Sequence, residues 1–169
     1  GDLQGRNLLM IFVTLGSQKF QFDRLLQKLD ELIEKGVITE PVTAQIGASN
    51  YLPKHFKYVR FMDREQFAKT MDACEIVVTH GGTGVIITAV KKGKKVIAVP
   101  RLAMYGEHVD DHQLQLLQQF DELQIICACY DLDMFEEFYK GIREREFRTY
   151  VSNTHVIIES IEEYLNELM

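Results

Sequence analysis

The chain has 169 residues, 46% hydrophobic and 26% charged, with a formal net charge of -6. That length accommodates one domain with a proper core, and no stretch approaches the roughly 20 apolar residues of a membrane-crossing helix. The acidic balance argues against nucleic-acid binding, which rests on Lys and Arg neutralising phosphates, and against unaided attachment to an anionic membrane.

Residues 1–9 lack the basic and apolar regions of a signal peptide and read as an added leader; residues 10–169 read as a single domain. Residues 8–14 form a continuous apolar run of strand length, as in a strand buried on both faces. After Leu15, Gly16 and Ser17 the spacing turns helical: Phe22, Leu25, Leu26, Leu29, Leu32 and Ile33 make one stripe, and Gly36 supplies a stop. Residues 42–46 and 58–61 predict two more strands. Asp63 with Gln66 three positions later resembles a capping box, opening a helix to Ala73.

Further strands are predicted at residues 76–79, 95–99 and 125–129, and helices at residues 83–92 and 109–123. Residues 140–148 are densely charged and read as a solvated helix end or connector. Ser152 then caps a last helix carrying Val156, Ile157, Ile161, Tyr164, Leu165 and Leu168 on one face, against the domain or a partner. The alternation of short apolar strands and amphipathic helices specifies an α/β fold, a parallel sheet with helices on both faces. Cys74, Cys127 and Cys129 are an odd count without C-x-x-C spacing; they suit small core positions and a reduced cytoplasm.

The residues with chemistry cluster after two of these strands. Thr79 and His80 lead into Gly81, Gly82, Thr83 and Gly84, between an apolar run and a helix. A glycine-rich turn in that setting lets backbone N–H groups converge on an anion at the helix start. His80 suits either a hydrogen bond to a phosphate or reacting group, or a structural bond to backbone. After the next strand, Glu107, His108, Asp110, Asp111, His112 and Gln113 offer the paired acceptors and the amide that hold sugar hydroxyls. The acids also favour a helix start, with Asp110 as its cap. Gly16 and Ser17, after the first strand, can line the same cleft.

These features outline a site for a diphosphate bearing several hydroxyls, a nucleotide-sugar. His108 and His112 share a helix spacing but lack the glutamate of H-E-x-x-H and a third ligand, so no metal site is assigned. Asp131 and Asp133 have D-x-D form, which capping of the following helical pattern explains. No nucleophile-elbow glycine pair is present.

The run Phe12-Val13-Thr14-Leu15-Gly16, then Phe22-Asp23-Arg24-Leu25, Thr79-His80-Gly81-Gly82, and residues 106–113 together resemble the donor-binding half of glycosyltransferase family 28. The resemblance runs from Met10 to about Asp133 and points to the small catalytic subunit of two-chain transferases. These include the eukaryotic enzyme adding the second N-acetylglucosamine to dolichyl diphosphate, and bacterial counterparts in capsule and exopolysaccharide synthesis.

The resemblance implies a Rossmann-like domain equivalent to the C-terminal half of a GT-B enzyme. It also implies an inverting hexosyltransferase that takes galactose or N-acetylglucosamine from UDP, with the UDP-sugar as substrate and no cofactor or bound metal. Gly82, Thr83 and Gly84 would bind the diphosphate, the segment after Pro100 and Arg101 would face the donor, and Asp111 and Gln113 would hold the sugar. The expected donor-binding set is therefore Gly16, Ser17, His80, Gly81, Gly82, Thr83, Gly84, Arg101, Glu107, Asp111, His112 and Gln113. The general base is expected on a membrane-anchored partner that brings a polyprenyl-diphosphate-linked acceptor to the cytoplasmic face, with His80 as the candidate on this chain. At Thr88 the family usually has a carboxylate that clasps the ribose hydroxyls. A degenerate, non-catalytic scaffold of such a complex is the alternative.

Overall fold

The computed structural model describes residues 10–15, 21–101 and 111–147, excepting the side chains of residues 111 and 112. Six parallel strands form one sheet: β1 (Ile11–Thr14), β2 (Val42–Gln45), β3 (Lys57–Val59), β4 (Ile76–Thr79), β5 (Lys95–Ala98) and β6 (Cys127–Ala128). Their spatial order is β3-β2-β1-β4-β5-β6. The order reverses at β1, so β1 and β4 flank the point where successive crossovers diverge. Thr14 lies in register with Gln45 on one side and Thr79 on the other, which aligns the carboxyl ends of these strands.

The helices are α1 (Asp23–Glu34), α2 (Arg64–Ala73), α3 (Thr83–Lys91), α4 (Asp111–Glu122) and, after a 3-10 turn at Leu132–Met134, α5 (Phe135–Ile142). Alternation along the strands gives each face its own core. Ile11, Val13, Val78, Ile97 and Cys127 meet Leu25, Leu26, Leu29 and Leu32 of α1 and Phe135 and Tyr139 of α5. Phe12, Val77, Val96 and Ala98 meet Met71 of α2, Ile86 and Val90 of α3, and Leu117 and Phe120 of α4. Near-continuous burial in β1 and β4 reflects this double cover.

The expected elements are all present where the structure describes them. Asp63 caps α2, its carboxylate accepting the Gln66 amide at 2.7 Å. Asp131 accepts the Asp133 amide at 2.9 Å, so the D-x-D pair serves as a cap at the 3-10 turn. All three cysteines are buried. Burial pushes the Cys74 thiol up to about 11 and that of Cys129 up to about 12, which keeps both unreactive.

The differences are at element ends. The first strand begins at Ile11, and residues 8 and 9 of its expected span lie outside the described residues. The last strand shrinks from the expected 125–129 to Cys127–Ala128, because it pairs along one edge only, with β5. Residues 109 and 110, expected in α4, and the Ser152 helix also lie outside the described residues.

Candidate functional site

Two buried side chains and one glycine turn build the centre of the carboxyl edge. Thr79 ends β4, and His80 follows with only 8% of its surface exposed. Its imidazole bonds the Thr14 carbonyl across the switch point, and its Nδ1 lies 3.4 Å from the Thr79 hydroxyl. Burial first, then the nearby Arg101 guanidinium, pushes the His80 pKa down to about 4, against the opposing bond to Thr14. The ring is therefore neutral at pH 7, and its conjugate acid is too strong for it to be an effective proton acceptor there.

The three glycines that follow serve different ends. Gly81 has φ +95, a left-handed conformation that favours glycine. A Cβ on Gly82 would stand 2.8 Å from His80 Cε1 and 2.9 Å from Nε2, so the imidazole occupies the room a side chain would take. Gly84 has neither constraint: its φ is not positive, and a Cβ there would meet nothing within 4 Å among the described residues. Gly82 is the N-cap of α3 and makes no side-chain cap, while Thr83 is buried in the first turn. The first amides of α3 thus face the sheet edge without a capping side chain from Gly82.

Thr88, one turn further on, donates its hydroxyl to the Gly84 carbonyl at 2.9 Å. The Thr88 hydroxyl is thereby turned onto its own helix.

A second wall comes from the start of α1. Phe22 is fully buried, and its amide donates to Ser49 Oγ at 3.0 Å. Asp23 accepts the amides of Asn50 at 2.8 Å and Tyr51 at 2.9 Å. Arg60 donates to the carbonyls of Gly47 and Ser49. Asp30, buried on α1, accepts the Tyr51 hydroxyl at 2.6 Å and the amides of Lys54 and His55. That bond to Asp30 pushes the Tyr51 pKa up to about 12. These ties fix the loop after β2 against α1. Neither Asp30 nor Ser49 belongs to a motif in the sequence. The available signal was Asp30 itself, a carboxylate four residues after Leu26 and three before Ile33, on the apolar stripe.

The expected site residues divide accordingly. His80, Gly81, Gly82, Thr83 and Gly84 stand together at the carboxyl end of β4, with Arg101 near enough to depress the His80 pKa. Gln113 is half-buried in the first turn of α4, which Asp111 and His112 open. Gly16, Ser17, Glu107 and His108 lie outside the described residues.

A doubly covered parallel sheet with a glycine turn at its switch point defines a Rossmann-like α/β domain. It matches the C-terminal half of GT-B glycosyltransferases. Residues 10–164 match the glycosyltransferase family 28 C-terminal domain, and the chain belongs to that family.

Among solved structures, the chain is similar to the glycotransferase of kitacinnamycin, with TM-score 0.63 and 16% identity over 83% of this chain and 36% of that one. It is similar to MurG of Acinetobacter baumannii, with TM-score 0.58 and 14% identity over 80% of this chain and 41% of that one. It is also similar to the solution structure of ALG13, with TM-score 0.57 and 20% identity over 87% of this chain and 92% of that one. The chain thus spans 36% and 41% of the length of the first two, and 92% of the third. No curated protein matches its sequence.

Proposed function

We propose that this chain is the donor-binding subunit of an inverting glycosyltransferase. It binds a UDP-hexose, galactose or N-acetylglucosamine, at the carboxyl edge of its sheet. A membrane-anchored partner then presents a polyprenyl-diphosphate-linked acceptor and the general base at the cytoplasmic face. Likeness to ALG13 across nearly that chain's whole length supports a domain that works with a separate half. Among the described residues no helix is long and apolar enough to cross a membrane, so membrane attachment is assigned to the partner.

The observation that carries the reading is Gly84. Glycine destabilises a helix interior by up to about 1 kcal/mol relative to alanine, and among the described residues nothing around Gly84 requires it in the first turn of α3. Close approach of a ligand does. The first amides of α3 would neutralise the diphosphate, and would stabilise the charge that develops on UDP as the glycosidic bond breaks. An acceptor hydroxyl attacks from the opposite face of the sugar, which inverts the anomeric centre. His80 supports the turn as a neutral hydrogen-bonding group, leaving the proton to the partner's base.

Thr88 favours the second reading, a degenerate scaffold that has lost donor recognition, because its hydroxyl is spent on Gly84. Thr88→Glu separates the two. Under the leading reading the wild-type chain already binds UDP, and the carboxylate raises affinity about ten- to a hundredfold by calorimetry. A wild-type chain silent toward UDP, with binding only in Thr88→Glu, would establish degeneration.

A further inference from the structure

Arg101 follows β5, and the family resemblance places it among the residues expected to touch the donor. In the structure it is 6% exposed, and its Nε donates to the Gln21 carbonyl at 3.1 Å. Its guanidinium carbon lies 5.3 Å from the centroid of the Phe22 ring, within cation–π range. Arg24 approaches the same ring at 5.3 Å. Gln21 is fixed in turn, its Oε1 accepting the Asp23 amide at 2.7 Å.

The partners are 80 residues apart in sequence, and topology makes the contact informative. The helix α1 follows β1, Arg101 follows β5, and β4 lies between those two strands. The side chain therefore reaches across the carboxyl end of β4, where His80 and the glycine turn sit. Burying a guanidinium is unfavourable unless its donors and face are both used, and only a planar fork stacks on a ring while donating in plane.

We propose that Arg101 is a positioning residue, which locks the start of α1 to the end of β5 as a crossbar over the β4–α3 turn without contacting the donor. Its consequence for the donor rests on the function proposed above; the crossbar itself does not. It holds the crevice walls at a fixed spacing, so the diphosphate meets a preformed site.

The test is a double-mutant cycle in the full chain with Arg101→Met, Phe22→Leu and the double variant, read by UDP calorimetry. Hydrogen exchange at the Phe22 amide, without ligand, is the second readout. A positioning role predicts that Arg101→Met weakens UDP binding about tenfold in the wild-type background and far less once Phe22 is leucine. It also predicts exchange at Phe22 faster by about tenfold or more, with the distant Gln66 amide unchanged. Arg101→Lys keeps the charge but loses the fork, so it accelerates Phe22 exchange as well, and it serves if the methionine variant fails to fold. Equal losses of UDP affinity in both Phe22 backgrounds would overturn the proposal in favour of direct contact. Unaltered Phe22 exchange in Arg101→Lys would show that there is no crossbar. Failure of the wild-type chain to bind UDP would remove the proposed function while the exchange result still decided the crossbar.

Discussion

Gly82 and Gly84 flank Thr83 at the start of α3 and differ in their constraints, which makes them a sensitive probe of what the turn is for. Gly82→Ala pushes a Cβ against the buried His80 ring and should destabilise by about 1–3 kcal/mol, read from the urea midpoint. Gly84→Ala meets no neighbour and should stabilise by about 0.5–1 kcal/mol while weakening UDP binding about tenfold. The two effects on stability have opposite signs, so a shared cause such as general helix propensity is excluded if both occur. His80 carries a pH signature of its own. Its folded pKa is depressed to about 4 while the unfolded value is near 6.5, so below pH 6.5 the unfolded chain takes up a proton that the folded chain refuses. The stabilisation is complete above that range and is lost as pH falls toward 4. Between pH 7 and pH 5 the wild type should lose about 2 kcal/mol more than His80→Asn, measured by denaturant unfolding at each pH.

At the scale of elements, three helices end alike. After α1, α3 and α4 the chain bonds back with the paired carbonyl contacts of a Schellman motif: Val37 to Leu32, Lys94 to Ala89, and Ile125 to Phe120. The left-handed residue is Gly36 in the first and Gly93 in the second, but Gln124, with φ 61, in the third. Gln124→Gly should therefore stabilise by about 0.5–1 kcal/mol and raise Tm by about 2–4 °C in a thermal scan. Gly36 was legible as a stop in the sequence because glycine marks such a position, whereas Gln124 carries no such mark. The same logic separates what else could be read. Strands such as Ile76–Thr79 were legible from a buried apolar run, and Asp63 from its offset to Gln66. The strand order, the reach of Arg101 to Gln21, and the Ser49 bond to Phe22 depend on residues 27 to 80 positions apart. No local pattern encodes such pairs. The site was legible as a motif at residues 79–84, but not in its division of labour, since Gly82 answers to a ring that only folding brings against it.

At the scale of the whole fold, the domain corresponds to the C-terminal half of a GT-B glycosyltransferase. The chain corresponds to about two-fifths of MurG but to nearly all of ALG13. A domain of this kind can hold a donor by itself if, as proposed, the diphosphate site lies within one sheet edge and one helix start. Transfer requires a group on the other side of the sugar to remove the acceptor proton, and His80, neutral and bonded to Thr14, is poorly suited to that step. The account therefore assigns donor binding to the isolated chain and transfer to its complex. The most direct test is a calorimetric titration of UDP into the purified chain, with ADP as the comparison. The account predicts saturable binding of UDP at one site per chain, with ADP clearly weaker; absence of saturable UDP binding, or equal binding of both nucleotides, would contradict it.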